Sequence, residues 1–195
     1  MRTPPLILAS ASPRRAEILR DAGFTFKTLA AGVDETPHRG ESPAAHVKRL
    51  AVSKALVAAA RVKHAATIIG ADTVVVVGGK ILGKPKSRAD ARRMLRLLSG
   101  RSHRVLTGLT VLRIAAGDAS RPRRAHLQTA VETTRVWFAP LTSREIADYV
   151  ATGEPADKAG AYAIQGRAGR FVTRIEGCYF NVVGLPLARL NRLLA

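Results

Sequence analysis

The sequence contains little of what marks several common classes of protein. One cysteine among 195 residues, Cys178, excludes an internal disulfide framework and a zinc site built from cysteines, and it fits a reducing compartment. No apolar run approaches the roughly 20 residues that a transmembrane helix needs. The apolar stretch near the start is too short for the hydrophobic region of a signal peptide. We therefore expect a cytoplasmic protein without a membrane partner.

Aromatic and acidic residues are also scarce. Aromatic residues make up 5% of the chain, too few for the stacking platform of a single-strand binder. The 14 Asp and Glu face 32 Lys and Arg, which gives a formal net charge of +18. A positive field favours a phosphate-bearing partner, yet 24 of these cations are Arg and they are spread along the whole chain. The charge fits either a nucleic-acid-binding module or an Arg-rich solvated surface.

Length and hydrophobic patterning predict a single α/β domain over residues 1–195, with two closely joined lobes as the alternative. The 47% content of hydrophobic residues suffices for one core. Runs rich in β-branched residues predict strands, and capped segments with helical spacing predict helices. Strands are expected at 6–10, 67–77 with a hairpin return through 80–85, 102–114, 123–141, 170–175 and 179–184. Helices are expected at 13–21, 43–61, 87–99, 142–153 and 186–195, and a loop at 115–122.

The turn between the first strand and the first helix is the first candidate site. A helix N-terminus at this turn presents unpaired N–H groups and the positive end of the helix dipole. Ser10 and Ser12 add hydroxyl groups, and Arg14 and Arg15 add guanidinium groups that can hold phosphate oxygens in pairs. We interpret this turn as an anion site, and a plain helix cap with two exposed arginines is the alternative.

An acid inside an apolar strand is the second candidate. Asp72 lies in the run TIIGADTVVVV, where a carboxylate is costly unless it lies at the strand edge or in a cleft with cationic or metal partners. Such a position suits a metal ligand or a general base, and a turn or a bulge is the other interpretation. Glu35 is a second acid that could join Asp72 around Mg²⁺ or Mn²⁺, which prefer oxygen ligands, although an exposed loop acid is the other interpretation.

The remaining candidates carry positive or amide groups. Lys84 lies in the stiff segment LGKP, where its ammonium group is suited to phosphate, and a solvated lysine is the alternative. Lys54 lies within a predicted helix, where a solvated face is the more common interpretation. The polar stretch GEPADKAGAYAIQG indicates a binding loop, in which Gln165 can both donate and accept hydrogen bonds. The chain contains neither a P-loop nor the dinucleotide glycine fingerprint.

Seven segments in order cover nearly the whole chain: LILASASPRRAEIL, SKA, GADTVV, LGKP, MLRLLSGRSHRVLTG, GEPADKAGAYAIQG and NVVGLP. This series resembles the Maf family of nucleoside triphosphate pyrophosphatases. The resemblance implies an α/β fold related to the inosine triphosphate pyrophosphatases, with an elongated mixed sheet flanked by helices and a central cleft. It also implies hydrolysis of a nucleoside triphosphate to the monophosphate and pyrophosphate with a divalent cation, Mg²⁺ or Mn²⁺. Family members are linked to removing non-standard or excess nucleotides and to septum formation.

The family's functional positions fall on residues of this chain. The general base falls on Asp72, and Glu35 is the acid paired with it in metal binding. The substrate-binding positions fall on Ser10, Arg14, Arg15, Lys54, Thr73, Lys84 and Gln165. In the branch that prefers dTTP and UTP, specificity is associated with Arg14, Thr73 and Gln165, so the resemblance implies this branch.

Two alternatives and one partner question stay open. Ala168 stands where the family commonly has glycine after the IQG segment, which keeps open another base preference such as 7-methyl-GTP. A basic nucleic-acid-binding module is the alternative from another class, although no stable nucleic-acid partner is expected. The sequence also leaves open whether the chain forms a homodimer.

Overall fold

The computed structural model describes residues 4–115 and 124–195, in which helices and strands alternate in a mixed α/β arrangement. The strands are β1 Leu6–Leu8, β2 Phe26–Thr28, β3 Ala66–Val77, β4 Lys80–Leu82, β5 Ser102–Ile114, β6 Ala125–Phe138 and β7 Val172–Glu176. The helices are α1 Pro13–Asp21, α2 Pro43–Ala60, α3 Arg88–Leu98, α4 Ser143–Ala151, α5 Tyr179–Val183 and α6 Leu187–Leu194. Apart from Ala115, the predicted loop at 115–122 lies outside the described residues, as does the predicted start of β6 at Arg123.

The strands form a mixed sheet flanked by helices, as the sequence predicts. They are neighbours in the order β2-β1-β3-β5-β6-β7, and β4 pairs with β3. β1 is parallel to both β2 and β3, with Ile7 opposite Lys27 on one side and Ile68 on the other. The hairpin strand β4 is antiparallel to β3, and β7 is antiparallel to β6.

By its internal contacts the chain divides into two compact units. Unit 1 comprises Met1–Asp72, Thr107–Glu132 and Gly184–Ala195, and unit 2 comprises Thr73–Leu106 and Thr133–Val183, in each case as far as the residues are described. The expectation of one domain over 1–195 stays a prediction. In the described part of the chain, no helix is long and apolar enough to cross a membrane.

The two units have cores of different composition. In unit 1, an aliphatic cluster packs α2 against β1, β3 and β5; the buried members of this cluster are Ile7, Ala9, Ala55, Ala58, Val62, Ala66, Ile68, Leu112 and Ile114. Unit 2 buries aromatic rings among its aliphatic residues. The rings of Phe138 and Tyr162 pack edge to face with centroids 4.8 Å apart, and those of Tyr149 and Phe171 do so at 5.5 Å.

The prediction of a strand at 179–184 is wrong, because Tyr179–Val183 form the short helix α5. The β-branched residues of this segment favour a strand, but long-range hydrogen bonds decide its conformation. The buried Asn181 side chain donates from Nδ2 to Val105 O and to Thr134 Oγ1, both at 2.9 Å. Gly177 precedes the helix with φ of 117°, which a residue with a side chain rarely adopts.

Candidate active site

The turn between β1 and α1 leaves a helix N-terminus without a side-chain cap. Ser42, Ser87 and Thr142 each accept a hydrogen bond from a backbone N–H in the first turn of α2, α3 and α4. Ser12 occupies the equivalent position of α1, but within the described residues its side chain makes no capping bond. The backbone N–H groups of this terminus therefore stay suited to an anion.

Arg15 ties this turn to the rest of unit 1. It is buried, and its Nη1 donates to Ser10 Oγ at 3.1 Å and to Ala71 O at 2.9 Å. Its Nε donates to Gly184 O at 2.8 Å. Burial lowers the pKa of Arg15, and the nearby charge of Asp72 opposes that effect. Arg15 thus fixes the geometry of the turn, whereas the half-buried Arg14 lies on the first turn of α1.

Asp72, Lys54 and Glu35 form a charged cluster in unit 1. Lys54 Nζ donates to Asp72 Oδ1 at 2.7 Å and to Glu35 Oε1 at 2.5 Å. The side chains of Lys54 and Asp72 are only 10% and 9% exposed, whereas that of Glu35 is 51% exposed. Lys54 is thus a cationic partner of Asp72, which is one of the settings expected for an acid in this strand. The expectation that Lys54 lies on a solvated helix face is wrong, because its side chain is held between two carboxylates.

Two glycines let α2 approach the sheet closely enough to form this cluster. A Cβ at Gly70 on β3 would lie 2.1 Å from Ala51 O on α2, and one at Gly108 on β5 would lie 2.2 Å from Val47 O. Alternate residues of a strand share a face, so Gly70 and Asp72 point to the same side. The helix that packs on Gly70 is therefore the one that presents Lys54 to Asp72.

The cluster is a reasonable donor set for a divalent cation. Within residues 4–115 and 124–195, no group of three or more His, Cys, Asp and Glu side chains is arranged to hold a metal ion. However, Asp72 and Glu35 already share one positive group, so their oxygens converge on a common point. Mg²⁺ is usually held by one or two protein carboxylates together with substrate phosphates and water, and this pair fits that requirement.

The remaining predicted residues belong to unit 2. Thr73 follows Asp72 on β3 and is half-buried; because strand residues alternate, it points to the opposite face from Asp72. Lys84 and Gln165 are both exposed. The segment next to Lys84 is fixed by a hydrogen bond from Gly160 N to Gly83 O at 3.0 Å.

The loop that carries Gln165 is held at its end by Glu154. The Glu154 carboxylate accepts from Tyr149 Oη at 2.9 Å and from Arg167 N at 3.1 Å. A Cβ at Gly166 would lie 2.2 Å from Glu154 Oε1. The glycine of the IQG segment is thus required for this close contact, which fixes the backbone beside Gln165.

Unit 1 accordingly brings together six of the predicted residues: Ser10, Arg14, Arg15, Glu35, Lys54 and Asp72. Sequence reasoning did not single out the glycines that position them. A lone glycine in a strand rich in β-branched residues indicates a close backbone approach, and this signal is present at Gly70. The sequence patterns also did not identify the hydrogen-bonded network of Glu41, His46 and Arg49 beside the charged cluster.

Comparison with solved structures supports this fold. The Ham1 protein of Staphylococcus aureus has a similar structure, with a TM-score of 0.52 at 16% identity over 97% of each chain. At that identity the likeness shows the fold alone, and it supports the predicted fold class.

The sequence comparisons define the family. The model of the Maf-like protein family matches residues 5–195, and the chain belongs to the Maf family. A protein of Pelotomaculum thermopropionicum is 52% identical over 97% of this chain and 94% of its own length. A protein of Geobacillus sp. strain WCH70 is 53% identical over 96% of this chain and 95% of its own length. Both relatives are named dTTP/UTP pyrophosphatase.

Proposed function

We propose that this protein hydrolyses dTTP and UTP to the nucleoside monophosphate and pyrophosphate. One observation carries the proposal: a buried carboxylate, Asp72, and an exposed one, Glu35, converge on Lys54 next to an uncapped helix N-terminus. Relatives more than half identical to this chain over nearly its full length are named for that activity. The activity that the family resemblance implies is therefore the activity that the chemistry of the site would support.

The turn before α1 would bind phosphate oxygens. Ser10 Oγ accepts from Ser12 N at 3.2 Å and from Arg15 Nη1 at 3.1 Å. Both contacts use the oxygen as acceptor, so the hydroxyl proton can be donated to a phosphate. Arg14 and the N–H groups of α1 add positive charge at the same turn, and Lys54 and Lys84 would bind further oxygens. Most of the catalysis then comes from position and electrostatics.

Asp72 and Glu35 would hold the divalent cation, Mg²⁺ or Mn²⁺. When bound, such a cation neutralises charge on the phosphate oxygens. Lys54 holds the two carboxylates close together. The buried Asp72 would also orient the attacking water and accept its proton as a general base. The water oxygen forms the new bond to the α-phosphorus while the bond from this phosphorus to the α–β bridging oxygen breaks, and pyrophosphate leaves with that bridging oxygen.

Thr73, Gln165 and Arg14 would set the base preference. Uracil and thymine present an O4 acceptor and an N3–H donor, which a glutamine amide can match because it both donates and accepts. Cytosine inverts this pattern, so an amide held in the orientation that matches uracil would leave a polar group unpaired, at a cost of about 1 to 3 kcal/mol. The exposed Gln165 and the fixed backbone beside it suit such a role.

The activity is tested by pyrophosphate release over a panel of triphosphates. The panel contains UTP, dTTP, CTP, ATP, GTP and 7-methyl-GTP, each with Mg²⁺, Mn²⁺ or a chelator. We expect UTP and dTTP to be cleaved to monophosphate and pyrophosphate, without release of orthophosphate. Cleavage of no triphosphate would overturn the proposal. Equal cleavage of CTP and UTP contradicts the base assignment, and preference for 7-methyl-GTP moves the chain to the other branch.

The position of attack has its own test. In water labelled with ¹⁸O, attack at the α-phosphorus places the label in the monophosphate. Label in pyrophosphate would instead show attack at the β-phosphorus and would contradict the proposed step.

In the cell, we propose a cytoplasmic role in clearing excess or non-standard pyrimidine nucleotides, with a connection to cell division. The homodimer stays a prediction.

A further inference from the structure

The segment that carries Glu35 has no helix or strand of its own. Residues 29–42 between β2 and α2 form only turns and irregular backbone, and the Glu35 side chain is half exposed. A carboxylate on such a segment loses conformational freedom when it is held beside Lys54. Contacts outside the charged cluster can offset this cost by holding the segment in place. We call residues 34–41 the Glu35 loop.

Arg49 on α2 binds the Glu35 loop at both of its ends. Its Nη2 donates to Thr36 O at 3.1 Å, directly after Glu35. Its Nε donates to Glu41 Oε1 at 2.7 Å, and Nη2 donates to Glu41 Oε2 at 2.8 Å. The two parallel bonds to one carboxylate fix its orientation, as a lysine in this position would not.

The Glu41 carboxylate also binds groups within the loop and on α2. Its Oε2 accepts from His38 N at 3.1 Å and lies 3.0 Å from Nδ1 of the buried His46. Its side chain is only 9% exposed. Hydrogen bonding to Arg49 lowers the pKa of Glu41, and the same bond raises the pKa of Arg49, so the pair stays ionised at neutral pH.

The loop also has a local turn around Glu35 itself. Thr36 N donates to Asp34 Oδ1 at 2.9 Å, which bends the chain at the residue between them. The carbonyl of the same Thr36 is the group that Arg49 binds. Arg49 and Lys54 lie on one rigid helix, so a single element holds the backbone after Glu35 and receives its carboxylate.

We propose that Glu41 and Arg49 are positioning residues that hold the Glu35 carboxylate next to Lys54 and Asp72. Neither is a catalytic residue, since both act through Glu35. The inference rests on the proposed function in one respect, namely that Glu35 takes part in catalysis. Partners that orient a ligand carboxylate typically contribute 10- to 100-fold to metal affinity or activity.

A double-mutant cycle tests whether Glu41 acts through Glu35. Glu41→Gln should lower kcat/KM for UTP about 10-fold or more and raise the Mg²⁺ concentration for half-maximal rate. In a Glu35→Gln background the same change should cost less than about twofold. An unchanged rate in Glu41→Gln, or an equal loss in both backgrounds, would overturn the proposal. Arg49→Lys, which keeps the charge but loses the paired bonds, should behave in the same way.

Hydrogen exchange provides a readout that needs no activity. Amides of residues 34–41 should exchange faster in Glu41→Gln and Arg49→Lys than in the wild type. Glu132→Gln is the control, because it breaks the 3.0 Å pair with Arg189 in the same unit, and it should change neither the exchange of the loop nor kcat/KM. Unchanged exchange in Glu41→Gln overturns the positioning role whatever the activity. A wild type that cleaves no triphosphate overturns the proposed function instead.

Discussion

Units 1 and 2 bury different kinds of polar group. Among the described residues, the Asp, Glu, Lys and Arg residues that are buried as a whole are Arg15, Lys54 and Asp72, and all of them lie in unit 1. The buried polar side chains of unit 2 are those of His103, Thr134 and Asn181. Both units contain strands and helices around an apolar core, so the difference is not one of architecture.

The difference indicates what the buried charges are for. Taking an ion out of water costs several kcal/mol, and attraction to a partner often does no more than offset that cost. Unit 2 shows that this chain forms a core with neutral polar groups alone. The charges of Lys54 and Asp72 are therefore better explained by the proposed chemistry than by stability, because the proposed binding of a triphosphate and activation of water would require them.

The largest expected effect comes from Asp72→Asn. The amide keeps the size of the side chain but removes its basicity, and a positioned base contributes about 10²- to 10⁴-fold. We expect turnover of UTP to fall by at least about 100-fold while the fold stays intact, since Lys54 keeps its contact with Glu35. Steady-state pyrophosphate release measures the turnover, and circular dichroism shows whether the fold is intact. Near-normal turnover would remove Asp72 from the mechanism.

The next effect tests how unit 1 assembles its charges. In Gly70→Ala the new Cβ would lie 2.1 Å from Ala51 O, so α2 must move away from β3. Overpacking of this kind costs about 1 to 3 kcal/mol, and we expect the upper end because the atom it meets is backbone. Turnover should fall as well, since Lys54 moves with the helix. Urea unfolding provides the free energy of unfolding.

Gly32→Ala is the matched control for that change. Its Cβ would have no neighbour within 4 Å, so stability should be close to that of the wild type. If Gly70→Ala is as stable and active as Gly32→Ala, the close approach of α2 does not position Lys54.

A smaller effect follows from the neutral core of unit 2. His103 Nε2 lies 2.8 Å from Tyr162 Oη, and within the described residues its buried Nδ1 has no hydrogen-bond partner. Burial lowers the pKa of His103 to about 4 from an unfolded value of about 6.5. As pH falls through this window the unfolded chain takes up the proton first, so His103 makes stability fall by about 3 kcal/mol between pH 7 and pH 4.

The test compares the pH dependence of unfolding in His103→Gln and in the wild type. The glutamine should remove this part of the loss between pH 7 and pH 4, while His64→Gln, which changes an exposed imidazole, should keep it. An identical pH slope in His103→Gln and the wild type would show that His103 is not held neutral.

The smallest effect concerns an exposed ion pair of unit 2. Arg144 Nε lies 3.8 Å from Asp148 Oδ2, and their side chains are 91% and 65% exposed. Pairs of this kind on a helix contribute about 0.3 to 0.5 kcal/mol. Asp148→Asn should therefore change the free energy of unfolding by no more than about 0.5 kcal/mol and leave turnover unchanged. A loss of several kcal/mol in the free energy of unfolding would show that an exposed ion pair of unit 2 stabilises the fold strongly, contrary to this prediction.

Local patterns in the sequence predict much of this fold. The capping box Thr142–Glu145 is present at α4, and Gly100 follows α3 with φ of 64°, because these signals act within one turn of a helix. β2 was not predicted, since a three-residue strand is defined by its pairing with β1. The helix at 179–183 was missed for a similar reason, because distant hydrogen bonds to Asn181 outweigh local preference.

The candidate site also contains residues that the sequence predicts and residues that only tertiary contacts identify. A carboxylate in an apolar strand needs a partner whatever the rest of the fold is. Asp72 could therefore be singled out as a candidate site residue from the sequence alone. The packing of α2 on Gly70 decides that Lys54 is this partner. The pair of Glu41 and Arg49 spans eight residues without a recognisable spacing, and only the conformation of the Glu35 loop brings them together.

One variant tests directly whether the buried charges of unit 1 serve chemistry. In Lys54→Met with Asp72→Leu both charges are replaced by apolar side chains, a change that is often neutral or stabilising by about 1 to 4 kcal/mol. Unfolding free energy and UTP turnover are measured together. We predict a stability equal to or above that of the wild type, with turnover reduced by at least about 100-fold. A protein that loses several kcal/mol of stability but still releases pyrophosphate at the wild-type rate would contradict the account.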